Sequence, residues 1–287
     1  MTLFSTNADA PKGRTSLRLH RAEAEQEVTS ADFGRLLAGF ETVSLGEMAD
    51  VALLNRTDIK YVMRAEQLYH ALAQLTDRYR VLEIGGTAFN HYQTLYFDTQ
   101  DLSLYRRHHD GALNRYKVRS REYTNSHLAF LEVKLKTNEW RTIKSRQRTP
   151  QVVTEFGAET AGFLRDHYPY DSGALEPKLW NAFTRITLVS KQRVERLTLD
   201  LNLRFHNDDR QASLPGIAIA EVKQEGFSMQ SDFIQQMRAL NRRSSGFSKY
   251  CTGVTLLYPG VKSNNFKPRL LLVNKLVRGG TGHDRVH

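Results

Sequence analysis

Over much of the chain, polar and apolar residues alternate with a period of two, the spacing of a strand whose two faces meet different surroundings. Residues 113–123 (LNRYKVRSREY) place Arg115, Lys117, Arg119, Arg121 and Tyr123 on one face, with Asn114, Tyr116, Val118, Ser120 and Glu122 behind them. On a strand these cations form one row about 7 Å apart, whereas on a helix they would spiral round it. Residues 55–63 repeat the pattern, with Arg56, Asp58 and Lys60 opposite Ile59 and Tyr61. Residues 128–136 set Glu132, Lys134 and Lys136 against Ala129, Leu131, Val133 and Leu135. Residues 140–148 add Arg141, Lys144, Arg146 and Arg148, and 217–223 end in Glu221 and Lys223. Residues 182–189 and 194–205 form a hairpin whose second arm alternates Arg196, Thr198, Asp200, Asn202 and Arg204 with Leu197, Leu199, Leu201 and Leu203.

Between these strands the spacing changes to three and four. It predicts helices over 65–79, 101–109, 152–168 and 231–241, the last capped by Ser231, and a short one within 32–46. Gly85-Gly86 suggests a hairpin joining 80–84 to 92–98, and Asp110-Gly111 a turn. Residues 1–30 are polar and aperiodic and read as a mobile arm, 31–260 as one domain, and 261–287 as a basic tail with an unplaced apolar patch at 270–273.

A charged row on one strand is usually a solvated face. Six such segments with apolar backs, and helices between them to cover those backs, imply instead that the charged faces point at one another. The fold expected is therefore α+β: a closed antiparallel β-barrel with a charged lumen and flanking helices.

Net charge sharpens this. The 287 residues carry a formal charge of +10, which calls for an anionic partner. A lumen rich in Lys and Arg suits phosphate chains, because Arg grips phosphate in a fork and Lys acts as a point charge. The minority acids Glu221, Glu132, Asp58 and Asp200 suit hard divalent cations bridging those phosphates. Specific nucleic-acid binding is not expected, since few aromatics interleave with the cations to stack on bases. No GxxxxGK[ST], GxGxxG or HExxH motif occurs. Adjacent His108 and His109 read as surface residues, the aromatics of TLYFDT as core, and the single Cys251 as filler. With one cysteine, no signal-peptide core and no apolar run of about 20 residues, the sequence points to the cytoplasm, with any membrane association supplied by a partner.

In order along the chain, RTDIKYVM, TLYFDT, KVRSREY, FLEVKLK, FTRITL, RLTLDLNLRF, IAEVKQEG and FSKYCTG resemble the VTC domain, the catalytic module of polyphosphate polymerases in the CYTH, or triphosphate tunnel metalloenzyme, superfamily. The resemblance implies a closed antiparallel tunnel that transfers the γ-phosphoryl of ATP to polyphosphate and releases ADP, with Mn²⁺ or Mg²⁺ as cofactor. By motif, Lys60 matches the first tunnel lysine, Arg119 and Arg121 the nucleotide-gripping pair, and Lys134 the lysine near the transferred phosphoryl group. Arg185 and Arg196 match later tunnel arginines, Lys249 a closing lysine, and Glu221 the metal ligand, with Glu132 a second candidate. Lys144 and Arg146 lie where the family has basic residues at a tunnel mouth, and Lys117 shares the phosphate-facing row. Hydrolytic relatives begin with ExExK where this chain has RTDIK at 56–60. Three alternatives remain: an inorganic triphosphatase of the same fold, a non-catalytic polyphosphate- or nucleotide-binding module, and, less favoured, RNA binding through the basic tail after residue 261.

Overall fold

A computed structural model describes residues 28–49, 56–139, 141–226 and 228–278, so the arm expected at 1–30 lies almost wholly outside the described residues. In chain order the elements are α1 (Ser30–Leu37), β1 (Glu41–Val43), α2 (Leu45–Ala49), β2 (Arg56–Arg64), α3 (Ala65–Ala73), β3 (Tyr79–Leu82) and β4 (Asn90–Asp98). There follow α4 (Ser103–His109), β5 (Arg115–Tyr123), β6 (Leu128–Lys136), β7 (Thr142–Thr149), α5 (Ala158–His167), β8 (Glu176–Ser190) and β9 (Glu195–His206). The chain continues through β10 (Gln211–Leu214), β11 (Ile217–Glu225), α6 (Asp232–Ala239), α7 (Lys249–Leu257) and α8 (Lys267–Arg278).

Eight strands form an antiparallel path, β2-β11-β9-β8-β4-β5-β6-β7; β10 pairs with β9, β3 pairs with β8, and β1 runs parallel to β3. The outer face packs in two clusters. Met63, Leu188, Leu199, Ala220 and their neighbours bury against Phe33 of α1, Leu72 of α3 and Phe233 of α6. Leu95, Val118 and Leu131 bury against Leu164 of α5. Ser231 caps α6 as expected, accepting a hydrogen bond from Ile234 N at 3.2 Å. α5 begins later than the spacing predicts, because Val152, Val153 and Phe156 reach the same cluster from a non-helical segment.

The expected barrel is not closed: among the described residues no ladder joins β2 to β7. Two features explain the opening. Ser245 N donates to Lys60 O at 2.8 Å, so the segment before α7 satisfies one carbonyl on the free edge of β2. α7 itself packs on apolar residues of the inner face, with Val62, Phe183 and Ile219 in one cluster with Tyr250, Cys251 and Val254. Gly253 permits this approach, since a Cβ there would lie 2.5 Å from Leu179 and 2.8 Å from Phe205. The sheet nevertheless curls. The start of α7 is reached by Lys117 from β5 and by Asp200 from β9, strands three places apart on the path and about 14 Å apart on a flat sheet.

Three further expectations are corrected. The Gly85-Gly86 turn, at φ 60° and 76°, closes only an isolated Ile84–Thr87 bridge. β3 and β4 do not pair; they lie end to end along one edge of β8, which is long enough at 15 residues to hold both. In β9 the alternation breaks at Asn202 (φ 55°), where Asn202 and Leu203 oppose the single residue Phe183, so Leu203 and Phe205 turn to the inner side under α7. His109 is not a surface residue. It is 3% exposed, its Nδ1 bonds Asp110 at 2.8 Å and its Nε2 accepts from Asn265 N at 3.3 Å. His108 bonds the Tyr116 carbonyl at 3.1 Å.

The TLYFDT aromatics and Cys251 are buried, as expected. Residues 267–278, unplaced from sequence, form α8 and insert Val273 beside α7.

Candidate functional site

Directly paired residues of antiparallel strands share a face, so the register alone assembles the site. Lys60 pairs with Glu221, which pairs with Thr198; Asp58 pairs with Lys223, which pairs with Arg196. Asp200 lies between Ile219 and Arg185. On the other half of the curl, Arg119 pairs with Glu132 and Glu132 with Arg146, while Lys117 pairs with Lys134 and Lys134 with Lys144. Lys249 joins them from α7. Arg121 pairs with Thr94 on the same face, so all twelve residues singled out from the sequence border one concave surface.

Three carboxylates organise most of the cations. Glu132 accepts from Arg119 Nε and Nη2, both at 2.7 Å, and pairs with Lys144. Asp200 takes Arg185 in a fork, Nε to Oδ1 at 2.6 Å and Nη2 to Oδ2 at 2.8 Å, and also pairs with Lys249. Glu221 holds Lys60 at 2.8 Å on one oxygen and Lys223 at 2.6 Å on the other, and Lys223 donates to Thr198 Oγ1 at 2.9 Å. Burial alone would raise these carboxyl pKa values, but the facing cations win. Arg119, Arg121 and Lys144 hold Glu132 down at about 2. Arg185 and Lys249 lower Asp200, and Lys223 and Lys60 hold Glu221 well below the usual range.

Other cations have neutral partners. Lys117 Nζ donates to Ser248 Oγ at 3.1 Å, and Arg121 Nε to Thr94 Oγ1 at 3.1 Å. Arg146 stacks over Phe130 at 4.9 Å. Lys134 makes no hydrogen bond or ion pair among the described residues. Burial first, then the charges of Lys117, Arg119 and Lys60, push its ammonium down to about 7. Burial also lowers Lys144 and Lys223 to about 8, against the pull of Glu132 and Glu221 respectively.

Several contributors were not singled out in advance: Tyr96, Tyr92, Phe183, Thr94 and Ser248. Tyr96 is 4% exposed, yet its hydroxyl pKa is lowered, because Arg119, Arg121, Lys249 and Lys117 outweigh burial. Period-two alternation places Tyr92, Thr94 and Tyr96 on the inner face of β4, and that was the available signal.

The acids constrain any metal. Among the described residues no three His, Cys, Asp or Glu side chains cluster for an ion, and Glu132 is committed to Arg119 and Lys144. Glu221 presents one carboxylate whose two oxygens already face ammonium groups. The residues fit Mn²⁺ or Mg²⁺ only as a one-carboxylate site whose remaining ligands are phosphate oxygens and water.

No helix among the described residues is long and apolar enough to cross a membrane. No curated protein matches the chain. Among solved structures it is similar to a putative adenylate cyclase from Bacillus halodurans, at 15% identity over 68% of this chain and 94% of that one, with a TM-score of 0.44. A putative adenylyl cyclase from Hippeastrum, described as having a dominant triphosphatase activity, matches at 14% identity over 71% and 98%, with a TM-score of 0.47. A conserved hypothetical protein from Pyrococcus furiosus matches at 9% identity over 69% and 99%, with a TM-score of 0.41. The sequence model of the VTC domain matches residues 55–258, which run from the edge of β2 to the end of α7 and carry every residue of the concave surface, so the chain belongs to the VTC domain family.

Proposed function

We propose that the protein is a polyphosphate polymerase that transfers the γ-phosphoryl group of ATP to a polyphosphate chain lying against the concave surface. The observation that carries this is Lys134. It faces Lys117 directly across the β5–β6 ladder and makes no ion pair among the described residues; Glu221 offsets the neighbouring cations only in part, so the arrangement repels itself until an anion is added. A phosphate chain supplies such an anion at every unit, and the cations around Lys134 are spaced along strands to meet it.

The reaction needs positioning and charge stabilisation more than covalent help. A terminal phosphate oxygen of the chain attacks the γ-phosphorus, and the bridging oxygen between β and γ leaves with ADP. Lys134, Arg119 and Arg121 hold donor and acceptor phosphates in line and offset the negative charge spread over the transferring group. Lys60, Lys117, Arg185, Arg196 and Lys249 grip the remaining phosphates, and Lys144 and Arg146 line the rim along β7. Bound Mn²⁺ or Mg²⁺, held by Glu221 together with substrate phosphates, would neutralise phosphate charge as a Lewis acid. The low number of acids favours synthesis over hydrolysis. Where a triphosphatase carries ExExK, this chain has Arg56, Asp58 and Lys60, and Asp58 faces Lys223.

The test is incubation of the purified protein with ATP and Mn²⁺, with products resolved by gel and by phosphate assay. A ladder of polyphosphate with matching ADP is expected. Orthophosphate from ATP or tripolyphosphate without any ladder would assign a hydrolase, and ligand binding without turnover would assign a binding module. Lys134→Ala should slow the polymerase by about 10²–10³-fold, the usual loss for one transition-state contact of this kind.

A further inference from the structure

Tyr92 and Phe183 face each other across the β4–β8 ladder and stack with centroids 5.0 Å apart and planes 19° from parallel. Three cations from three elements gather over this pair. The guanidinium of Arg121 lies 5.4 Å from Tyr92 and 5.8 Å from Phe183, and that of Arg185 lies 5.1 Å and 5.3 Å from them. The ammonium of Lys249 is 4.3 Å from Phe183. Asp200 pairs with Arg185 and Lys249, while Arg121 donates to the hydroxyl of Thr94 and makes no ion pair among the described residues.

Asp200 pairs with two of the three cations and Glu132 acts on Arg121 only from beyond ion-pair distance, which leaves an excess of positive charge that would drive the cations apart. Carboxylates could hold them, but each would cancel the charge it holds. An aromatic face attracts a cation through its quadrupole and leaves the full charge available to a third party.

We propose that the Tyr92–Phe183 pair is a positioning element that holds Arg121, Arg185 and Lys249 together, still charged, for the phosphates of the bound anion. Neither ring takes part in the chemistry. This rests on the polyphosphate reading of the site and adds to it the residues that aim its cations.

The experiment is calorimetric titration of sodium tripolyphosphate into the wild type and into Tyr92→Leu, Phe183→Leu and Tyr92→Phe, each first confirmed folded by its thermal melt. Tyr92→Leu should bind about tenfold more weakly, from two lost cation–π contacts. Phe183→Leu should lose more, since its ring lies under three cations. Tyr92→Phe keeps the ring and should bind within about twofold of wild type. If a Leu variant fails to fold, Met at the same position replaces it. Folded Leu variants that bind like wild type would overturn the proposal, as would a Tyr92→Phe variant that loses as much as Tyr92→Leu. A wild type that binds no tripolyphosphate would instead overturn the functional reading, and the positioning role with it.

Discussion

Replacing Lys134 by Met should make the unliganded protein more stable while removing its grip on phosphate. Burial and three facing cations, opposed only in part by Glu221, bring this ammonium from 10.5 down to about 7. Each pKa unit corresponds to about 1.36 kcal/mol, so keeping the charged group without a bound anion costs the fold about 5 kcal/mol. Proton counting gives the pH window. Below pH 7 the folded and unfolded chains both hold the proton and the full cost stands. Between pH 7 and 10.5 the unfolded chain holds a proton that the folded chain has lost, so wild-type stability rises with pH across that interval. The Met variant lacks this group. Its advantage over wild type should be about 5 kcal/mol at pH 6.5 and shrink to about 2 kcal/mol at pH 9. Urea unfolding followed by circular dichroism at those two pH values measures the gap. A gap that does not change with pH, or a variant less stable than wild type at pH 6.5, would refute the picture of Lys134 as an uncompensated lumen charge. The same variant should bind tripolyphosphate far more weakly, so a stability gain and a binding loss would come from one substitution.

Two further substitutions test the framework around the site. Asp200→Asn leaves Arg185 and Lys249 without their shared counter-charge in a nearly dry position, and should destabilise the fold by about 3–5 kcal/mol in urea unfolding. The carboxylate pKa of Asp200 is depressed in the fold, so its contribution is full above the unfolded value of 3.8 and fades as pH falls below it; the Asn variant should show none of that acid-side loss. Gly253→Ala forces a methyl group against Leu179 and Phe205, and should cost about 1–3 kcal/mol in the same assay as α7 is pushed off the inner face.

Most strands could be placed from sequence because alternation is local. β6 runs over Leu128–Lys136 as its pattern requires, β2, β5, β9 and β11 fall within two residues of theirs, and β8 starts six residues before the 182–189 expected. The partition of inner from outer residues followed directly, so Lys60, Arg119, Lys134, Arg185 and Glu221 could be grouped before any neighbour was known. The break at Asn202 could not, since a bulge depends on what the opposing strand does.

What the sequence determined by itself is which side chains share a face, and that the shared face is cationic with a few acids among the cations. Both follow from the two-residue period of an extended chain and from composition. Which acid meets which cation was decided by tertiary structure: Glu132 joins β5 to β7, Asp200 joins β8 to α7, and Lys134 makes no ion pair among the described residues. Tertiary structure also set β3 and β4 on one edge of β8, buried His109 beneath residues that follow α7, and left the sheet open between β2 and β7. These outcomes depend on pairing register and on packing between segments far apart in the chain. A period of two fixes the face of each residue but contains no term for its partner on another strand.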